Sequence, residues 1–365
     1  MKRNLILACF SVIFALIFAE GVLRVLPSQP RAAKPAQGPK TDWVNVPERV
    51  WTEYHPQLGW YHMKNKKAVL PVGGREVEVH TNAAGFRGVR EYETVKPAGT
   101  TRLLVLGDSF PFGFGVGDTE SFPAVLEAED PKREVLNLSV PGYGIDQMLV
   151  AWRILGALYQ PDIVLIGIFP EDFWRCTRAF ADSGHAKPYF FLSGDGRLEL
   201  KNVPVPPQYQ LNAGQFPELI RPRWLGRLLG HSVVYRLAQK GLTRLAKNLG
   251  LIDPDTETEW IVGRAILRTL VTEIRQRGAR PVLFILPPDR WAQTQRKDSL
   301  LKSLYRFSRQ EDVEMIDPTG AFYDAIRQSS LADYYIQGDG HWTPRGHRLA
   351  AQIIGRYFKW EVRSR

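Results

Sequence analysis

The chain has 365 residues, 44% of them hydrophobic and 24% charged, and carries a formal net charge of +10. This composition excludes a disordered chain and indicates one large globular domain with insertions, or two domains. The two cysteines are Cys9 and Cys176, which excludes a disulfide framework and any CxxC-type zinc or redox motif.

The N-terminus has the charged-then-apolar layout of an export signal. A basic pair at positions 2 and 3 precedes the uncharged run LILACFSVIFALIFA, residues 5–19. This run is short for a hydrocarbon core of about 30 Å, but extended to Leu23 it nearly suffices. We therefore predict an uncleaved signal anchor or transmembrane helix over 1–26. The rest of the chain is expected on the extracytoplasmic side, in the periplasm or at the cell surface.

Two segments without helical periodicity follow the predicted anchor. Residues 27–42 are rich in Pro, Ala and Lys, and we predict a linker that holds the following domain away from the membrane. Residues 43–98 contain aromatic residues, Gly-Gly turns and the alternating stretch REVEVHT. These features predict a small β-containing lead-in that is not an independent domain.

From Thr101 onward, apolar runs alternate with helical segments. The runs RLLVLGD, EVLNLSV, PDIVLIGIF, RPVLFILP and VEMIDP predict five strands of a parallel sheet covered on both faces. Helical stretches separate them, and the last runs from about Arg345 to Phe358. This alternation predicts a doubly wound α/β domain made of residues 99–172 and 256–365, in which ligands bind at the carboxyl ends of the strands.

Residues 173–255 interrupt the alternation and predict an inserted cap. Within it, positions 221–247 contain seven basic residues and no acidic one. Four of the basic residues share one face of a predicted amphipathic helix: Arg236, Lys240, Arg244 and Lys247. The first interpretation is a solvated basic face, and the alternative is a helix that lies on anionic lipid. An anionic lipid or polysaccharide would suit this charge, whereas the export signal argues against nucleic acid.

A candidate nucleophile lies in RLLVLGDSFPFGFG, residues 102–115, where a strand ends in Gly-Asp-Ser. The hydroxyl of Ser109 needs a base within hydrogen-bond reach and a third group that orients this base. Of the seven histidines, His341 has the best setting, in a loop that leads into a helix. Asp339, two residues earlier, is positioned to orient its imidazole. His347 is a weaker candidate, because it should lie inside that helix.

The glycines after Ser109 do not indicate a phosphate site. Their spacing is not GxGxxG, and the Gly-Lys-Ser/Thr ending of a phosphate-binding loop is missing. The DGH triplet has no second cluster spaced to complete a metal site. We therefore expect neither a cofactor nor a metal.

Three motifs together resemble the SGNH (GDSL) hydrolase superfamily: VLGDSF after the first strand, NLSVPGYG at the second strand end, and DGHWTPRGH near the C-terminus. The resemblance covers about 100–172 and 256–360, and the phrase NAAGFRG resembles membrane-anchored bacterial esterase and O-acyltransferase-like members. It implies a flavodoxin-like three-layer α/β/α fold and acyl-ester chemistry. It also implies that Ser109 is the nucleophile, that His341 is the base, and that the backbone N–H groups of Ser109 and Gly142 belong to the oxyanion hole.

Two positions depart from the family pattern. The family's Asp precedes the His by three positions, whereas Asp339 precedes it by two, a spacing similar to that of polysaccharide O-acetyltransferases. In IFPEDF, Glu171 replaces the Asn whose side chain donates to the oxyanion. Loss of one such donor lowers the rate by about 10²–10³-fold. Four alternatives follow: Glu171 turns away, Glu171 is held protonated, another group such as Asn137 donates instead, or the enzyme is impaired.

The sequence therefore predicts an exported serine esterase or O-acyltransferase that works through an acyl-Ser109 intermediate. The expected substrate is an acylated glycan or lipid, with acetyl groups on a glycan as one case. The alternative is a catalytically weakened scaffold of the same fold, or a polysaccharide-binding protein, and Glu171 is the residue that favours it.

Overall fold

The computed structural model describes residues 51–181, 183–207, 258–294 and 299–360, which all belong to one compact unit. The predicted anchor over 1–26, the linker over 27–42 and the basic segment 221–247 lie outside these residues. Among the helices that are described, none is both long and apolar enough to cross a membrane.

Two antiparallel hairpins precede the main sheet. Strand β1 (Thr52–His55) pairs with β2 (Gly59–His62), and β3 (Lys67–Val72) pairs with β4 (Arg75–His80). In the second hairpin, alternate residues are buried and pack with Trp51 and Phe112. Strand β4 lies in the stretch REVEVHT, whose alternating pattern predicts a strand with one face buried.

The described part of the chain contains seven further strands. They are β5 (Thr101–Leu106), β6 (Arg133–Asn137), β7 (Ile163–Ile168), β8 (Tyr189–Leu192), β9 (Leu198–Lys201), β10 (Arg280–Ile285) and β11 (Glu314–Ile316). Strands β8 and β9 form a separate antiparallel hairpin. The other five form one parallel sheet in the order β6–β5–β7–β10–β11. This is the flavodoxin-like order 2-1-3-4-5, so the predicted parallel α/β sheet is confirmed.

Helices cover both faces of the sheet. They are α1 (Ser109–Phe112), α2 (Phe122–Ala128), α3 (Ile145–Ile154), α4 (Pro170–Arg175), α5 (Thr258–Gln276), α6 (Asp289–Thr294), α7 (Ser299–Gln310), α8 (Thr319–Gln328) and α9 (Pro344–Phe358). On one face, Leu104 and Leu106 of β5 share a core with α3, α5 and α7. On the other, Leu103 and Val105 share a core with α2, α8 and α9. The result is the three-layer arrangement predicted from the sequence.

One helix differs from its predicted extent, whereas the last helix agrees with its prediction. The sequence GIDQMLVAWRILGALY predicts one helix over residues 144–159. In the structure, α3 ends at Ile154 and a 3₁₀ helix follows over Gly156–Tyr159. Gly156 packs closely there, since a Cβ on it would lie 2.8 Å from Leu104 Cδ2. The last helix, α9, begins at Pro344 with Thr343 as its N-cap. Helix α8 was not predicted.

Candidate active site

Ser109 opens helix α1 directly after β5, so its side chain stands at the carboxyl end of a central strand. The turn between them is tight, because a Cβ on Gly107 would lie 2.5 Å from the Pro111 ring. Asp108 is buried and caps α1, its Oδ1 accepting the Phe110 N–H at 3.0 Å. This local structure presents a partly exposed Ser109 on a fixed turn.

The structure brings Ser109, His341 and Asp339 together in one chain of hydrogen bonds. His341 Nε2 lies 2.7 Å from Ser109 Oγ, and His341 Nδ1 lies 2.6 Å from Asp339 Oδ1. With the proton on Nδ1, the ring donates to Asp339 and accepts the Ser109 hydroxyl proton. This is the geometry that a serine nucleophile, its base and an orienting carboxylate require.

A compact loop lets Asp339 reach the ring from only two residues away. The Asp339 Oδ1 also accepts the backbone N–H of His341 at 3.1 Å. The turn is closed by the Ile336 N–H, which donates to the His341 carbonyl oxygen at 2.7 Å. Gly338 and Gly340 both have left-handed backbone angles, with φ of 77° and 90°. The Asp-x-His spacing is therefore compatible with the triad geometry.

Contacts with His341 lower the pKa of Asp339. Burial acts to raise the pKa of Asp339, but hydrogen bonds from the ring and backbone N–H groups of His341, together with its charge, outweigh burial and lower this pKa. An ionised carboxylate stabilises the imidazolium that forms when His341 takes a proton.

Two aromatic rings flank the His341 imidazole. The ring centroids of Phe110 and Phe114 lie 4.9 and 4.8 Å from it, and Phe169 stacks on Phe110 at 4.7 Å. These side chains limit the positions of the imidazole and cover it from water. No local sequence pattern indicates these contacts, because Phe114 and His341 lie more than 200 residues apart in the chain.

The two predicted backbone donors lack acceptors in the described part of the chain. Within the described ranges, neither the Ser109 N–H nor the Gly142 N–H has a hydrogen-bond acceptor, and Gly142 has a left-handed φ of 82°. The loop around Gly142 is held by Trp60 from the lead-in. Trp60 Nε1 donates to the Pro141 carbonyl at 3.2 Å, and the Tyr143 hydroxyl donates to the Trp60 carbonyl at 2.6 Å.

The third predicted oxyanion position does not supply an amide donor. Glu171 lies in the first turn of α4, with Oε1 3.5 Å from Nη2 of Arg290 on α6. Its Oε2 is buried and has no hydrogen-bond partner among the described residues. Asn137 does not take over, because its side chain donates to the Pro111 carbonyl at 2.8 Å and accepts from the Ser139 N–H. Arg290 thus supplies a countercharge to Glu171.

His347 has a structural position and does not face Ser109. It is buried on α9, and its Nδ1 accepts the Phe122 N–H at 3.3 Å. Burial, with smaller contributions from nearby positive charges, lowers the pKa of His347 to about 3. The neutral ring therefore serves packing and capping.

A charged cluster behind the nucleophile was also missed. Arg175 contacts both Asp108 and Asp172, whose side chains are 1% and 0% exposed. Burial and the nearby Asp108 carboxylate raise the pKa of Asp172 strongly, and Arg175 opposes this effect. The sequence shows Asp108 and Asp172 at or just after the ends of two predicted strands, but no local pattern indicates that Arg175 contacts both of them.

The sheet order is flavodoxin-like, and the Ser-His-Asp contacts join the three residues for which the resemblance to SGNH (GDSL) hydrolases implied a common site. No group of three or more His, Cys, Asp or Glu side chains in the described part of the chain is arranged to hold a metal ion.

No protein-family model matches the sequence, and no curated protein is significantly similar to it. Among solved structures, the acetylxylan esterase Axe2 from Geobacillus stearothermophilus is 16% identical, covering 74% of this chain and 100% of that chain with a TM-score of 0.42. A G-D-S-L family protein from Desulfitobacterium hafniense DCB-2, described as lipolytic, is 13% identical, covering 70% and 99% with a TM-score of 0.39. At these values the likeness carries no weight for activity or substrate, which must follow from the site geometry.

Proposed function

We propose that the protein is a serine esterase or O-acyltransferase that transfers an acyl group from an ester through an acyl-Ser109 intermediate. The observation that carries the proposal is the chain of hydrogen bonds from Ser109 through His341 to Asp339. A carboxylate, an imidazole and a hydroxyl in this order activate serine in unrelated folds.

In the first half-reaction, Ser109 Oγ attacks the acyl carbonyl carbon while its proton moves to His341 Nε2. The Nδ1–H of the imidazolium stays hydrogen-bonded to Asp339. The negative charge on the tetrahedral carbonyl oxygen is stabilised by the backbone N–H groups of Ser109 and Gly142. The bond between the carbonyl carbon and the alcohol oxygen then breaks, and His341 returns its proton to the departing alcohol.

In the second half-reaction, a water molecule or an acceptor hydroxyl attacks the acyl-serine. His341 takes a proton from the attacking oxygen and delivers it to Ser109 Oγ as the ester bond breaks. Hydrolase and transferase use the same residues, and they differ in which hydroxyl reaches the acyl-enzyme.

The proposal includes an extracytoplasmic location and a membrane tether through residues 1–26. The basic, apolar and linker segments at the N-terminus support it. An acylated glycan or lipid is the proposed substrate, and the basic segment 221–247 is a candidate contact for anionic lipid or polysaccharide.

The test uses the full chain, purified in detergent micelles and assayed on p-nitrophenyl acetate. We expect Ser109→Ala and His341→Ala to lower kcat by about 10⁴-fold or more. Ser308, on α7, donates its hydroxyl to the Val313 carbonyl, and Ser308→Ala should leave kcat unchanged. Equal turnover in the wild type and Ser109→Ala would falsify the proposal. Adding a glycan with free hydroxyls then separates the two activities, because a transferase places acetyl groups on it.

A second candidate function is a weakened scaffold or polysaccharide-binding protein of the same fold. The feature that favours it is Glu171, which stands where the resemblance implies an Asn side chain and contacts Arg290. It predicts that a fluorophosphonate probe fails to label Ser109 while the full chain binds an acetylated polysaccharide. Labelling that is lost in Ser109→Ala supports the enzyme instead.

A further inference from the structure

One guanidinium nitrogen contacts three backbone segments at the carboxyl edge of the sheet. The Nη1 of Arg175 lies 3.3 Å from Asp108 Oδ2, 2.9 Å from Asp172 Oδ1 and 3.1 Å from the Tyr143 carbonyl oxygen. Asp108 is the N-cap of α1, Tyr143 lies in the loop before α3, and Asp172 is in the first turn of α4. A single side chain therefore joins three segments that are far apart in sequence.

The partners of Arg175 are sequence neighbours of the three predicted oxyanion positions. Asp108 precedes Ser109, Tyr143 follows Gly142, and Asp172 follows Glu171. Each partner is joined by a single peptide unit to a predicted oxyanion position. A displacement of the partner therefore displaces that position as well.

Both carboxylates are also bound firmly to their own helices. Asp108 Oδ1 accepts the Phe110 N–H at 3.0 Å, and Asp172 Oδ2 accepts the Phe169 N–H at 2.9 Å. Each carboxylate thus uses one oxygen to start a helix and the other to bind Arg175. Since both side chains are almost fully buried, water is poorly placed to replace the guanidinium.

We propose that Arg175 is a positioning residue that sets the spacing between the Ser109 and Gly142 N–H groups in the oxyanion hole. The inference rests on the proposed acyl-transfer function. Oxyanion donors act only when they lie about 2.7–3.1 Å from the developing oxyanion, so small shifts of the two loops weaken transition-state stabilisation more than substrate binding.

The experiment compares three variants of the full chain with the wild type. Arg175→Gln removes the charge, but it leaves two buried carboxylates without a counterion and can unfold the protein. Arg175→Lys keeps the charge, and the double variant Asp172→Asn/Arg175→Gln removes one buried carboxylate. Arg153→Gln is the matched control. Arg153 lies on the surface of α3, where it pairs with Glu273 of α5.

Two readouts separate positioning from mere stabilisation. The first is kcat and KM for p-nitrophenyl acetate, and the second is the affinity of phenylboronic acid, whose tetrahedral serine adduct carries an oxygen in the oxyanion position. We expect the double variant to lower kcat by about 10²-fold with KM changed less than about threefold, and to weaken boronate binding to a similar degree. Arg175→Lys should lower kcat and boronate affinity less than the double variant does. Arg153→Gln should change neither kcat nor boronate affinity.

Folded Arg175 variants that keep kcat and boronate affinity within twofold of the wild type overturn the inference. So does a loss of kcat with unchanged boronate affinity. A wild type that binds boronate through Ser109 but turns over no ester contradicts the proposed function alone, and boronate affinity in the variants still tests positioning. If the wild type binds no boronate, both proposals fail.

Discussion

His341 Nε2 lies 2.7 Å from Ser109 Oγ. The rings of Phe110 and Phe114 hold the imidazole from two sides, so the proton acceptor is oriented in advance. Advance orientation of reacting groups lowers the entropic part of a reaction barrier. The activity expected of this site therefore depends on contacts that keep the pair in place.

Asp339→Asn tests the orienting contact. The asparagine keeps the size of the side chain but removes the charge that stabilises the imidazolium, and it favours the wrong ring tautomer. We expect kcat for p-nitrophenyl acetate to fall by roughly 10²–10⁴-fold, with little change in KM. Asp195→Asn, in the turn between β8 and β9, is a control for the loss of an exposed carboxylate. Unchanged kcat in Asp339→Asn would assign the orienting role to another group.

Glu171→Asn tests the departure at the third oxyanion position. It replaces the carboxylate at the predicted oxyanion position with an amide, which can donate a hydrogen bond. We expect kcat to rise, by up to about 10²-fold if the amide reaches the oxyanion. The complementary variant Arg290→Gln removes the countercharge from Glu171 and should lower kcat. A large loss of kcat in Glu171→Asn would show instead that the carboxylate takes part in the reaction.

Two buried histidines, His62 and His347, should each make the fold less stable as the pH falls below neutral. Burial lowers the pKa of His62 to about 4 and that of His347 to about 3, from an ordinary value of 6.5. Between pH 6.5 and 4 the unfolded chain therefore binds more protons than the folded chain. As the pH decreases through this range, the free energy of unfolding decreases by about 1.4 kcal/mol per pH unit for each additional proton that the unfolded chain binds.

His347→Gln isolates one of these two groups. Glutamine can still accept the Phe122 N–H but does not titrate. Urea unfolding at pH 7, 6 and 5 should show a shallower pH dependence in this variant, by up to one proton. Identical slopes in the variant and the wild type would contradict the assignment of the acid sensitivity to His347.

Lys187→Met tests a buried ion pair beside the site. The Nζ of Lys187 pairs with Asp146 Oδ2 and also donates to the carbonyls of Arg175 and Arg178, both at 3.1 Å. Removing the ammonium leaves the buried Asp146 uncompensated, which should destabilise the fold by about 3–5 kcal/mol in urea unfolding.

The double variant Asp146→Asn/Lys187→Met provides the matched comparison. It removes the uncompensated charge, so we expect it to be more stable than Lys187→Met alone. Lys67→Met, which breaks an exposed pair with Glu78, should have little effect. If the single and double variants at the buried pair unfold at the same urea concentration, an unpaired charge is not the cause of the destabilisation.

Local patterns in the sequence were sufficient to predict the strands of the parallel sheet and to select Ser109, His341 and Asp339 as the reacting groups. Continuous apolar runs identify buried parallel strands, because a strand covered on both faces needs apolar residues at every position. The five strands lie where these runs predict them, and Ser109 follows the first of them directly. His341 and Asp339 could be selected because they share one short loop before a helix with a recognisable cap.

The tertiary structure alone decided how the site is supported. Arg175 and Asp108 are 67 positions apart, and Trp60 and Tyr143 are 83 apart. Glu171 meets Arg290 only because β7 and β10 are neighbours in the sheet. Contacts of this kind depend on strand order and side-chain packing, which bring distant segments together, whereas sequence periodicity reports only whether each segment has a buried face.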